Sequence, residues 1–205
     1  MILTLTGASG AGKSTLAKAL VCLLPSSELS PGCTTRAMRP SETAADVVHL
    51  SEERFSEMRE RGDFLWAVEV HGLWYGTLRR VVADGLEDRA HCLLLALTPE
   101  VLPILKDFAR KAGYGDEVRS VYVTSPEPSA LRARLSARVD GNETIERRLD
   151  DCEAWDATAR SSHLYDLFVP GEGDVELNAR GLIDTLGILK PNQSGTAKKC
   201  SIREG

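Results

Sequence analysis

The sequence predicts an α/β fold built on a parallel sheet, and three observations carry that prediction. A β-branched apolar run from Ile2 to Thr6, a glycine-rich loop and a helix-spaced leucine pattern follow one another at the start of the chain. His91 to Leu97 is a continuous apolar run, the composition of a parallel strand buried on both faces. Strand-like and helix-like segments then alternate to about residue 189, as β-α-β units require. A chain of 205 residues suits one α/β domain with smaller inserted units.

The first strand leads into Gly7-Ala8-Ser9-Gly10-Ala11-Gly12-Lys13-Ser14-Thr15, a phosphate-binding loop of the G-x-x-x-x-G-K-[ST] pattern. Gly7, Gly10 and Gly12 permit backbone angles that a Cβ disfavours, so successive N–H groups can turn inward around a phosphate chain. Lys13 supplies a point charge to the β/γ-phosphates and the Ser14 hydroxyl a ligand for Mg²⁺. Leu16, Leu20, Leu23 and Leu24 recur at helical spacing behind the loop, which aims a helix N-terminus at the anion. The chain is therefore expected to bind a nucleoside triphosphate.

Pro25-Ser26-Ser27 breaks the first helix, and Ser30-Pro31-Gly32 marks a second turn. In the turn-rich stretch that follows, Arg36 and Arg39 are either solvated charges or a clamp. Beside a phosphate loop the clamp is preferred, because guanidinium forks match phosphate oxygens bidentately. Ser51 reads as the N-cap of a helix through Arg61, with Phe55 and Met58 inward and Gly62 at its end. Phe64 to Val70 and Leu73 to Thr77 read as strands around a His71-Gly72 turn. Trp66 and Trp74 form either a small core or a substrate wall. Tyr75 is expected to reach the substrate, its hydroxyl free to bond a phosphate while the ring stays packed.

Beyond the central strand, a helix is expected from Pro99 to about Lys111, a strand from Val118 to Thr124 and a helix from Glu127 to Arg138. Arg132, Arg134 and Arg138 close that helix. Asp140-Gly141-Asn142 makes a turn, and Asn142 caps a helix in which Ile145, Leu149 and Cys152 share a face. Arg147 and Arg148 near its N-terminus oppose the helix dipole. Two arginine clusters across a turn suggest a lid that closes on phosphates. The alternative is a salt-bridged surface with Glu143, Glu146, Asp150 and Asp151. Asp166 to Val169 is a last strand, Val175 to Leu189 a closing helix, and Lys190 onward a polar, aperiodic tail.

Composition excludes several classes. A net charge of −5 gives no basic stripe for nucleic acid. No apolar run approaches the roughly 20 residues that span a bilayer, and Met1 leads into the first strand without a basic leader. The five cysteines are scattered without C-x-x-C spacing, which points to reduced thiols rather than disulfides or a zinc site. The expected setting is cytoplasmic, with no membrane or nucleic-acid partner.

The motifs G-A-S-G-A-G-K-S-T-L, T-T-R-A-M-R-P-S-E, G-D-F-L, E-V-H-G-L-W-Y-G-T, R-L-S-A-R, I-E-R-R-L-D and Y-D, in this order, resemble the guanylate kinase superfamily over residues 1–189. The resemblance implies a nucleoside-monophosphate-kinase-like three-layer fold. Its core would be 1–31, 78–137 and 150–189, its acceptor-binding subdomain 32–77, its lid 138–149 and its tail 190–205. It further implies transfer of the γ-phosphoryl of ATP, with Mg²⁺, to the phosphate of GMP. Arg36, Arg39 and Tyr75 would hold the acceptor phosphate, with Thr34 beside them, and Thr77 would face the guanine. Lys13, Arg134, Arg138 and Arg148 would stabilise the transferred group. The state implied is a monomer or a homodimer.

The chain departs from that family where guanine is read. Trp66 stands at a carboxylate position, Ala96-Leu97-Thr98 at an acidic pair, and Pro170-Gly171 at an asparagine. An indole is a hydrogen-bond donor and cannot replace a carboxylate acceptor, although its ring could stack on a base. Glu69, three residues along the strand, belongs to the opposite face. The chain also resembles the ribose 1,5-bisphosphate kinases in H-G-L-x-Y-G, in L-S-x-x-x-F and in Leu102-Pro103. It differs from them at Arg39 and Ser14. A phosphorylated ribose is thus the alternative acceptor, and a non-catalytic binding module of this fold the second alternative. A regulatory GTPase would need a switch region that the sequence lacks.

Overall fold

The computed structural model describes residues 1–38, 43, 45–70, 72–137 and 142–188. Arg39, His71 of the expected turn, Arg138 and the expected tail lie outside the described residues. Strands β1 (Ile2–Thr6), β2 (Ser27–Leu29), β3 (Gly32–Thr34), β4 (Val47–His49), β5 (Phe64–Val70), β6 (Leu73–Leu78), β7 (Cys92–Leu97), β8 (Val118–Thr124) and β9 (Leu167–Pro170) form two sheets. The larger has the order β2-β7-β1-β8-β9, and every neighbouring pair in it is parallel. The smaller has the order β4-β3-β6-β5, with β3/β4 parallel and the β3/β6 and β5/β6 pairs antiparallel. The helices are α1 (Lys13–Leu23), α2 (Glu52–Glu60), α3 (Arg79–Glu87), α4 (Leu102–Lys111), α5 (Pro128–Ser136), α6 (Asn142–Ser161) and α7 (Val175–Thr185).

Alternation along β1 separates two cores and makes the parallel sheet the middle of three layers. Leu3 and Leu5 join Leu16 and Leu20 of α1 and Ala179 and Leu182 of α7 on one face. Ile2 joins Val82 and Leu86 of α3, Leu93 and Leu95 of β7, and Leu105 and Ala109 of α4 on the other. Thr4 and Thr6 are fully buried. Their hydroxyls donate to Arg119 O (3.4 Å) and Val121 O (3.1 Å) of β8, which satisfies them inside the core.

The α/β expectation is met, with differences at the element ends. α3 was not expected: it is short, carries the β-branched pair Val81-Val82 and contains Gly85. That glycine is there for packing, because a Cβ would lie 2.5 Å from Leu93 Cδ2. The central strand begins at Cys92 rather than His91, and the closing helix stops at Thr185. Past that end Gly187 turns left-handed (φ 62°) and Ile188 N–H donates to Ile183 O (3.1 Å), a glycine stop signal. α2 forms as read. Ser51 Oγ accepts from Arg54 N–H (3.2 Å), and Phe55 is 1% exposed and stacked on Phe64.

The small sheet has two faces with different partners. Phe64 packs with Phe55 and Cys33 beneath α2. A register irregularity between Phe64 and Trp66 then turns the next side chains over. Trp66 joins the cluster of α3, β7 and α4, and Val68 packs against it. Because Trp66 pairs with Thr77, Val68 with Tyr75, and Tyr75 with Thr34, Tyr75, Thr77 and Thr34 share that face. Glu69 pairs with Trp74 on the face beneath α2, as the period-2 reading expected. Lys18 Nζ meets Asp46 Oδ1 at 2.8 Å, which joins α1 to the turn just before β4 and brings the small sheet alongside the helix that starts at Lys13.

Candidate active site

The glycine loop sits where β1 ends and α1 begins. Gly7 (φ 142°) and Gly12 (φ 104°) hold angles that side-chain-bearing residues rarely adopt, and a Cβ on Gly7 would fall 2.3 Å from Val123 O. Ser14 and Thr15 are exposed at the first turn of α1, where the unpaired N–H groups of the helix gather. Lys13 folds back over the loop. Its Nζ donates to Gly7 O (2.7 Å) and Ala8 O (2.8 Å).

Two of the expected lid arginines reach the same loop. Arg134 Nη1 on α5 donates to Gly10 O (3.1 Å) and to Gly171 O (2.8 Å) of the turn after β9. Arg148 Nη1 on α6 lies 3.4 Å from Ser9 Oγ, and the residue is 7% exposed. Arg132, two positions before Arg134 and so about 200° around the helix, instead pairs with Glu146 of α6. The arginines thus divide between the glycine loop, reached by Arg134 and Arg148, and an ion pair between helices, made by Arg132. Arg138 lies outside the described residues.

A network with no motif behind it fixes α6. The wholly buried Tyr122 hydroxyl donates to Asp156 Oδ1 (2.8 Å), while Ser125 N–H donates to Asp156 Oδ2 (2.9 Å). Burial and the adjoining carboxylate push the Tyr122 phenol above its ordinary range, so it stays a neutral donor. One turn earlier, the Cys152 thiol donates to Arg148 O (2.9 Å), and burial pushes it up to about 11. Cys152 packs with Ala8, Leu131, Leu135 and Ile145 under the loop. One more acid in an acid-rich helix carries no local signal, so nothing in the sequence marks Asp156.

On the small sheet, Arg36 follows β3 in a frame of side-chain bonds. Thr34, expected to contact the acceptor, is 1% exposed, and its hydroxyl is committed. It accepts from Arg36 N–H (3.1 Å) and donates to Trp74 O (2.8 Å). Thr34 is thus part of the frame. Trp66 is 6% exposed within the core cluster, which leaves no ring face for a stacked base. Of its two readings, the core one holds. Trp66→Phe is expected to lower stability by about 1–2 kcal/mol, roughly 2–8 °C in Tm for a chain of this size, with the acceptor KM unchanged. Thermal melts alongside steady-state kinetics check this. Tyr75 is half-buried, while Thr77 is 5% exposed, so only the edge of its side chain is open to a ligand; among the described residues nothing engages either hydroxyl, and Arg39 lies outside them.

No cluster of three or more His, Cys, Asp or Glu suited to a metal occurs among the described residues, and none of Cys22, Cys33, Cys92 and Cys152 is in a disulfide. The cradle instead fits a metal that arrives with a phosphate chain, Ser14 supplying one exposed oxygen. No helix among the described residues is long and apolar enough to cross a membrane.

The guanylate kinase family model matches residues 1–180. The chain is 34% identical to the guanylate kinase of Pseudomonas fluorescens (strain Pf0-1), over 90% of this chain and 84% of that protein. It is 32% identical to the guanylate kinase of Symbiobacterium thermophilum, over 97% and 88%. Among solved structures, the guanylate kinase of Anaplasma phagocytophilum superposes with a TM-score of 0.69 at 23% identity, over 94% of this chain and 87% of that one; this is a likeness of fold.

Proposed function

The chain belongs to the guanylate kinase family, and from that premise we propose that its acceptor is a guanine nucleoside monophosphate, GMP or dGMP. Family membership makes it an ATP-dependent kinase that transfers a phosphoryl group to a nucleoside monophosphate. A phosphate oxygen of the acceptor bonds to the γ-phosphorus, the bond to the β–γ bridging oxygen breaks, and ADP leaves. Neither the family match nor these relatives supports the phosphorylated-ribose or binding-module readings.

The guanine acceptor rests on the guanylate kinase relatives, and the observation that supports the phosphoryl transfer itself is the convergence of Lys13, Arg134 and Arg148 on one glycine loop. Phosphoryl transfer asks chiefly for positioning and for cations around spreading negative charge. Lys13 leaves the carbonyls of Gly7 and Ala8 for the β/γ-phosphates, and residues 7–15 cradle the chain with their N–H groups. Ser14 would hold the Mg²⁺, which shields the phosphate charge when bound. Arg138 and Arg148, in a lid of residues 138–149, attend the transferred group together with Arg134 of α5. Residues 32–77 form the acceptor subdomain, where Arg36, Arg39 and Tyr75 hold the acceptor phosphate and Thr77 meets the base. The carboxylate absent at Trp66 leaves Thr77 as the side-chain hydroxyl toward guanine, so base discrimination should be weaker than a carboxylate gives.

The test is ADP release with each ribo- and deoxynucleoside monophosphate, ribose 5-phosphate and ribose 1,5-bisphosphate, with the Lys13→Ala protein as blank. GMP or dGMP is expected to give the highest kcat/KM. A sugar phosphate turned over faster than every nucleotide would overturn the proposal.

A further inference from the structure

We infer that His49 is a positioning residue for the acceptor clamp: its imidazole holds the main chain of Arg36 so that the guanidinium is presented at one place. This rests on the reading above, in which Arg36 binds the acceptor phosphate. His49 ends β4 and lies beside Thr34 in the parallel β3/β4 register. Its Nδ1 is 2.7 Å from Arg36 O. A carbonyl only accepts, so Nδ1 carries the proton and donates.

Arg36 lies beyond the end of β3, where no ladder bond fixes it. Instead both of its main-chain polar groups are held by side chains, the N–H by Thr34 Oγ1 (3.1 Å) and the carbonyl by His49. The preceding residue is tied as well. Thr35 N–H donates to Trp74 O (3.1 Å), and Trp74 N–H donates to Thr35 Oγ1 (3.0 Å). β4 meets this turn from the side nearest α1, since Asp46, just before the strand, pairs with Lys18 at 2.8 Å. The imidazole therefore links the strand alongside the nucleotide-loop helix to the residue that grips the acceptor. An arginine side chain has several rotatable bonds. Holding its main chain removes part of the ordering cost that binding would otherwise meet, so the loss should fall on acceptor affinity rather than on chemistry.

Replacing His49 by Asn places an amide N–H near the position of Nδ1, Gln moves it toward that of Nε2, and Leu removes it. Steady-state kinetics with GMP and ATP separate the three. His49→Leu is expected to raise the acceptor KM about tenfold, the effect of one lost hydrogen bond and an orphaned carbonyl, with kcat within about threefold and the ATP KM unchanged. His49→Asn is expected to recover most of that loss, and His49→Gln little of it. Should the Leu protein fail to fold, the Asn–Gln pair decides. The inference is overturned if Asn and Gln behave alike, if the acceptor KM stays within twofold in all three, or if the ATP KM rises in parallel. Arg36→Ala, run alongside, is expected to raise the acceptor KM at least as much as His49→Leu. An unchanged KM there would overturn the clamp itself, whereas a raised KM in Arg36→Ala with none in His49→Leu would overturn only the role of His49.

Discussion

Lys13→Ala is expected to lower kcat by about a hundredfold to a thousandfold, the scale on which removal of one preorganised charge-stabilising donor acts, while the protein stays folded. The lysine closes the loop on itself through two bonds, to Gly7 O (2.7 Å) and Ala8 O (2.8 Å). On the proposed mechanism those carbonyls face the ammonium only until a phosphate chain arrives. The charge then transfers from two partial negative charges to full ones, a stronger interaction that grows as the β–γ bond loosens. Alanine removes that gain, and neither Arg134 nor Arg148 supplies it. Arg134 is held between Gly10 O and Gly171 O, and Arg148 is turned to the Ser9 hydroxyl. A thermal-shift series with MgATP gives an independent reading. Saturation at ~100 times Kd should stabilise the unaltered protein by about 2.7 kcal/mol, and the Lys13→Ala protein by much less. Retention of kcat within tenfold would remove the phosphate loop from the mechanism.

The donor side was legible because its chemistry is contiguous. Nine neighbouring residues, Gly7 to Thr15, make the loop and open the helix, so nothing in the distant chain decides whether they form a cradle. The arginines were half legible: their number and neighbourhood could be read, but which of them turns toward the loop is set by rotation about α5 and α6. Thr34 and Trp66 show what lay beyond reach. Strict alternation from Phe64 places Trp66 on the face beneath α2, yet the irregularity between the two residues turns it into the α3/β7/α4 cluster. A register slip of one residue exchanges the two faces of a strand, and no composition rule marks where it falls. Thr34 is concealed differently. Its hydroxyl suits a ligand equally well, and only the nearness of Trp74, far along the chain, commits it to the frame. α3 escaped because a β-branched pair and a glycine argue against a helix locally, while its burial against β7 outweighs them.

Gly171→Ala is expected to destabilise the fold by about 3 kcal/mol, the upper end of overpacking costs, which at this chain length is roughly 6–12 °C in Tm, and to weaken ATP binding as well. An added Cβ would lie 2.3 Å from both Ala11 O and Thr124 O. These are main-chain atoms of the phosphate loop and of the end of β8, so no side chain can rotate away and the turn itself has to move. The turn has little freedom to do so. Asn178 Nδ2 donates to Pro170 O (3.2 Å) and Glu172 O (3.0 Å), and the Gly171 carbonyl is one of the two acceptors that hold Arg134. Backbone at Gly171 thus lies directly against backbone of the loop and of β8. The turn is thereby pressed against the loop, and a guanidinium is fixed between them. If that contact were only structural filling, Gly171→Ala would lower Tm and leave the ATP KM unchanged at temperatures where the protein is folded. If the turn positions Arg134, the ATP KM rises with the Tm loss. Arg134→Ala alone should then reproduce the KM effect without the full loss of stability, and in the double variant the two KM effects should fall well short of additive.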